Sequence, residues 1–129
     1  EEKIRGIFYG NPLDFYEKDK AKIGIENYFA NNYRSALEIL AEIIARRNIY
    51  THNNGNVDRK YLKEVKNPKF KLGEKAIIDK TYAKQTVIIL RGFAAVITRI
   101  VLTETYKAPT TNALIKRRSE SFEKQFKGK

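Results

Sequence analysis

The chain has 129 residues, with 26 basic against 15 acidic side chains and a formal net charge of +11 at pH 7. That length suits one domain with a packed core, and 42% hydrophobic with 32% charged residues lies outside the composition of a disordered chain. The absence of cysteine and the presence of one histidine exclude disulfides and thiolate metal sites and argue against a zinc centre, so no metal or other cofactor is expected; the charge favours RNA, DNA or an anionic membrane as partner.

The N-terminus opens with Glu1, Glu2 and Lys3 in place of a basic start followed by an apolar run. No secretory signal is read from it, and a cytoplasmic location is the expectation. A chain without methionine also reads as a fragment of a longer protein. After a break at Gly10, Asn11 can cap a helix with Pro12 in its first position and Asp14 in its first turn. Gly24 interrupts the pattern, and Phe8, Tyr9, Phe15 and Tyr16 suit either a core or a stacking surface.

From about Glu26 to His52 apolar residues recur at helical spacing: Ala36, Leu37, Leu40, Ala41 and Ile44, with Ile39 and Ile43 widening the stripe. A single long amphipathic helix is expected, ended by Asn53, Asn54 and Gly55. The stretch that follows is rich in lysine, with turns at Asn67, Pro68 and Gly73 and one helical turn around Tyr61 and Leu62.

A second long helix is expected from about Asp79 to Tyr106, apolar on several sides at Val87, Ile88, Leu90, Phe93, Val96, Ile97, Ile100 and Val101. Such a helix belongs at the centre of a bundle or in a buried dimer interface. Residues 86–103 approach the length of a membrane span, but Arg91 and Arg99 would each cost about 2.5–3.5 kcal/mol near the bilayer centre, so no membrane insertion is expected. Residues 108–111 break the helix. The basic segment 110–129 forms a last short helix with Leu114, Ile115, Phe122 and Phe126 partly inward. The predicted architecture is therefore all-α: one domain over 1–129, a compact helical bundle with two long antiparallel core helices and shorter flanking ones, expected to be dimeric.

The stretch "RRNIYTHNNG" at 46–55 gathers two arginines, an asparagine and the histidine at the end of the first long helix. Asn48 and His52 fall about 40° apart on an ideal helix and can point together, whereas Arg47 and His52 fall about 140° apart. One regular helix does not bring the latter pair into contact; either the last turn is distorted or a second copy of the chain completes the site. In a two-fold dimer the two helix ends converge two copies each of Arg47, Asn48 and His52 on one phosphate. Arg47 supplies a permanent charge, His52 a proton acceptor or donor and Asn48 a positioning group, the parts needed for metal-free attack of a ribose 2′-hydroxyl on its phosphate. The alternative is that Arg46, Arg47 and His52 only complement the negative end of the helix dipole. Lys60, Lys63, Lys66 and Lys69, with Arg46, are candidates to guide RNA.

The segment "RNIYTH" resembles the signature of the HEPN superfamily, an arginine and polar residue followed after a short spacer by a histidine near a helix end, and "NNGNVDRKYL" looks like the turn and following segment of many HEPN proteins. The resemblance covers about Tyr28 to Leu62, with a compatible helix at 79–106. It implies a helical, usually dimeric bundle and metal-independent endoribonuclease activity of the kind found in toxin and defence systems, with an antitoxin or larger defence protein as partner; some members are noncatalytic assembly or RNA-binding modules. Asn54 stands where one subgroup carries a modifiable tyrosine two residues after the histidine, so control by that modification is not implied.

Overall fold

In a computed structural model of the chain, residues 28–129 are described. The expected Asn11 cap and the Phe8, Tyr9, Phe15 and Tyr16 cluster lie outside the described residues. The helices are α1 (Tyr28–Asn32), α2 (Arg34–His52), α3 (Arg59–Glu64), α4 (Lys80–Ile100) and α5 (Ala113–Phe126), with a wider π turn, Val101–Thr105, continuing α4. Among the described residues the one β pairing is an isolated antiparallel bridge between Asn56 and Lys75. The chain is all-α.

Three helix starts follow from short polar side chains that accept otherwise orphaned backbone N–H groups. Asp58 accepts from Tyr61 N at 2.7 Å, Asp79 from Tyr82 N at 2.7 Å, and Asn112 from Leu114 N and Ile115 N at 3.0 and 3.1 Å. The start of α2 is different. The expected single helix from Glu26 is broken at Tyr33, whose φ of −137° departs from helical geometry. Tyr33 is fully buried there: its ring packs on Phe29 and Phe122, and its hydroxyl donates to Glu123 at 2.9 Å. Residues 128 and 129 close the break, with Gly128 N donating to Asn32 O and Ser35 N donating to Lys129 O. A contact with the far end of the chain thus stands in for a local cap.

Two apolar clusters share α2. The first joins Phe29, Tyr33, Leu37 and Leu40 to Ile89, Phe93, Val96 and Ile100 of α4 and to Phe122 and Phe126 of α5. The second joins Ala45 and Ile49 to Val57, Tyr61, Val65 and Ala76. The helix therefore buries one face in its first half and a face turned well round from it in its second half. Tyr82, in the first turn of α4, reaches Glu42 of α2, while Phe93 further along stacks on Phe29 ahead of α2.

The closest neighbour of α4 is α5, and not the other long helix. Ala94, Ala95 and Thr98 lie beside Leu114, Ile115 and Arg118, while Ile88 and Gly92 lie beside Ser121, Phe122 and Gln125, so α4 and α5 run antiparallel. Gly92 lets them approach: a Cβ there would stand 2.1 Å from the Phe122 ring. Of the two places expected for α4, the centre of a bundle is not what one chain supplies: it covers one face and leaves Val87, Ile88 and Leu90 exposed. Lys80–Thr105 is long and apolar enough to cross a membrane by length and composition, with 33% of its most apolar window buried.

Candidate functional site

The end of α2 is held in place by the turn that follows it. Asn53 N and Gly55 N both donate to Ile49 O, at 2.8 and 3.0 Å, and the Asn53 amide donates to Asn56 O at 2.7 Å. Asn54 and Gly55 both take positive φ, 50° and 79°, which an asparagine and a glycine tolerate best. Gly55 is needed for a second reason: a Cβ would stand 2.8 Å from the Tyr50 ring. The turn is clasped to residues 73–76, where Ala76 N donates to Gly55 O and the Tyr50 hydroxyl donates to Ala76 O at 2.7 Å.

On this anchored end Arg47 and His52 are exposed and Asn48 is half-buried. Arg47 Nη1 donates to Asn48 Oδ1 at 3.0 Å, bringing these two expected site residues together. The Thr51 hydroxyl donates to Arg47 O at 3.0 Å. The helix is continuous through His52, so the wide angular separation of Arg47 and His52 on one chain stands and no distorted last turn closes it. Helical spacing puts Arg47, Asn48 and Thr51 on the stripe that carries Leu37, Leu40 and Ile44 into the first core. The stripe outruns its cover, and its last turn presents polar groups to solvent.

Arg46 behaves otherwise, and its expected place among exposed RNA-guiding residues is corrected. It is 6% exposed, its Nε and Nη2 donate to Glu42 at 2.7 and 2.6 Å, and its Nη1 donates to Ile77 O at 2.8 Å. Its guanidinium lies over the Tyr82 ring at 3.8 Å and nears Phe70 at 5.1 Å. Glu42 also accepts from the hydroxyls of Tyr61 at 2.8 Å and Tyr82 at 3.0 Å. Burial works to lower the Arg46 pKa, but the charge and hydrogen bond of Glu42 together with Tyr82 and Tyr61 outweigh it, and the net shift is upward. Burial, then the bond to Glu42, pushes Tyr61 up to about 12; burial and the Glu42 charge push Tyr82 up as well. The i,i+4 spacing of Glu42 and Arg46 is visible in the sequence; the tyrosines that bury the pair are not, because they arrive from α3 and α4.

The candidate lysines divide. Lys66 pairs with Glu38 at 2.7 Å and, with Lys69, lines a cleft of about 470 Å³ over Glu42, Arg46 and Tyr82. This cleft runs along α2 from Ser35 to Arg46, about 9–25 Å along the axis from His52, and Lys66 meets the helix at Glu38, about 21 Å from it, so these two lysines are not gathered round the helix end. Lys60 approaches Glu64 at 3.9 Å and Lys63 is exposed, both on α3. Among the described residues no group of three His, Cys, Asp or Glu stands close enough together to hold a metal ion.

Comparison of the chain with protein-family models, curated proteins and solved structures finds no match.

Proposed function

We propose that the protein is a metal-independent endoribonuclease that works as a homodimer, with the α2 ends of two copies meeting round one RNA phosphate. The observation that carries this reading is the pair of neighbouring arginines. Arg46 is locked into the interior, while Arg47 stays exposed with Asn48 on a firmly anchored helix end that also bears His52. The regular helix makes a second copy the way to bring Arg47 and His52 to one phosphate. The likeness of "RNIYTH" to the HEPN signature supports the same reading.

In this mechanism one His52 takes the proton of the ribose 2′-hydroxyl as its oxygen attacks the adjacent phosphorus. The bond to the 5′ oxygen breaks, and that oxygen leaves with a proton from the other His52. Arg47 stabilises the charge on the crowded phosphorane and Asn48 orients the phosphate. The products carry 2′,3′-cyclic phosphate and 5′-hydroxyl ends, and DNA, lacking the attacking hydroxyl, is not cut. Lys60, Lys63, Lys66 and Lys69 act on RNA at longer range, and such an enzyme is restrained in its host by an antitoxin or defence-system partner.

A second reading, a noncatalytic RNA-binding or dimerisation module of a larger defence protein, is favoured by the exposed Val87 and Leu90 on α4. End-labelled single-stranded RNA incubated with the protein in EDTA separates the two. The nuclease yields cyclic-phosphate ends, lost in His52→Ala and in Arg47→Ala but partly regained when those two variant chains are mixed, since a mixed dimer retains one His52 facing one Arg47. Intact RNA bound by an intact dimer establishes the module instead.

A further inference from the structure

The arginines of the described residues are not used alike. Arg34, Arg46 and Arg99 each pair with a glutamate: Glu38, Glu42 and Glu123. Arg91 of α4 and Arg117 and Arg118 of α5 form no such pair among the described residues, yet they line one groove between the two helices. Along it, one hollow of about 270 Å³ is walled by all three with Ile88, Phe122 and Gln125, and a second of about 170 Å³ by Arg91, Arg118, Thr98 and Leu114. Arg91 and Arg118 border both hollows, one from each helix.

Among the described residues no carboxylate relieves this arrangement. The sequence of α4 from Lys80 to Ile100 contains no acidic residue. On α5, Glu123 is engaged by Arg99 and the Tyr33 hydroxyl on the core side, and Glu120 has no basic group within 4.0 Å among the described residues. Like charges held across a narrow groove repel, and an anion between them turns that repulsion into attraction. Guanidinium forks fit phosphate oxygens in pairs, and two consecutive hollows joined by such forks suit successive phosphates of one strand. A concave groove also fits a strand better than the plane of a bilayer surface, which an outward convex face would meet.

We propose that the α4–α5 groove binds the phosphodiester backbone of single-stranded RNA through Arg91, Arg117 and Arg118. The proposal rests on RNA being the ligand of the protein, and it does not depend on cleavage. It makes the basic helix α5 a surface that the strand tracks.

The test is the salt dependence of binding of a fluorescent single-stranded oligouridylate to the full chain carrying His52→Ala, which holds the RNA uncut. Each phosphate contact to a single strand contributes about 0.7 to the slope of log K against log salt, so Arg91→Gln/Arg117→Gln/Arg118→Gln flattens that slope by about 2 and weakens low-salt binding on the order of tenfold or more. A comparison triple, Lys71→Gln/Lys75→Gln/Lys107→Gln, removes equal charge from exposed positions outside the groove and has a clearly smaller effect. Equal effects of the two triples overturn the groove while leaving RNA as the ligand. Failure of the His52→Ala chain to bind RNA at all overturns the RNA reading too, and arginine-dependent sedimentation with phosphatidylserine vesicles but not RNA overturns the groove in favour of a membrane. If the arginine triple loses helicity, phenylglyoxal modification of the unsubstituted chain decides: RNA shields Arg91, Arg117 and Arg118, and full reactivity in its presence overturns the proposal.

Discussion

Glu42→Gln is expected to cost the fold about 3 kcal/mol. The substitution keeps the shape of the side chain and removes the charge that Arg46 meets through two bonds and that two tyrosine hydroxyls share. Removing one partner of a buried ion pair costs about 3–5 kcal/mol because the other charge is left uncompensated. The lower end applies here, since the Arg46 and Glu42 side chains retain 8% and 18% exposure and Arg46 keeps the Ile77 carbonyl and the Tyr82 ring. For a chain of this size that lowers the melting temperature by about 10 °C. Glu38→Gln is the reference, since Glu38 pairs with solvent-exposed Lys66 and Arg34 and such pairs are worth at most about 1 kcal/mol. Urea unfolding followed by circular dichroism compares the two at constant m value. Equal midpoints would refute the claim that the Glu42 cluster is an internal ion pair and not a surface one.

Gly92→Ala should destabilise by about 1–2 kcal/mol in the same assay: the new Cβ, 2.1 Å from Phe122, must push α4 and α5 apart, which outweighs the usual gain of alanine over glycine within a helix. A more stable Gly92→Ala protein would show that the contact yields without strain. Alkaline unfolding follows from Tyr61 and Tyr82, whose folded pKa values are raised, to about 12 for Tyr61, above the value near 10 of an unfolded tyrosine. The contribution of Tyr61 is full below pH 10 and is lost as pH rises through about 12, at about 1.4 kcal/mol per pH unit within that window; that of Tyr82 is likewise full below pH 10 and falls as pH rises above it. Phenolate absorbance and helicity measured together across that range should change together for these groups; ionisation of all tyrosines with helicity retained contradicts it.

Much of the fold was legible because it is encoded locally. Asp79 opens α4 where a polar residue precedes the apolar run, and Asn54 with Gly55 closes α2 by backbone freedom that few residues share. What was not legible is held by distant partners. Tyr33 carries no helix-breaking chemistry, and the interruption there depends on Glu123, Phe122 and the backbone of residues 128 and 129. The side of α4 that stays exposed is equally hidden from periodicity, because both its buried face and its outer face carry branched apolar residues. The expected neighbour of α4 was the other long helix for lack of a way to see Gly92 opposite Phe122.

The candidate site poses the same problem in its sharpest form. Arg46 and Arg47 are adjacent and chemically identical in the sequence, but a helix sets them about 100° apart, so a core that takes one excludes the other. Residues 76–82 stand on the Arg46 side, supplying the Ile77 carbonyl and the Tyr82 ring, and Arg47 is left at the end of the Leu40 and Ile44 stripe. A residue present only to complement the helix dipole would be expected to turn its donors on the last carbonyls. Arg47 instead donates sideways to Asn48, while the Arg47 carbonyl is taken by the Thr51 hydroxyl. That bond fixes the guanidinium through one of its five N–H donors and leaves the rest of the fork for a ligand. It also couples the two residues: Asn48→Ala, by releasing the fork, should reduce RNA cleavage without changing the melting temperature, and unchanged cleavage would return Arg47 to the role of a dipole charge.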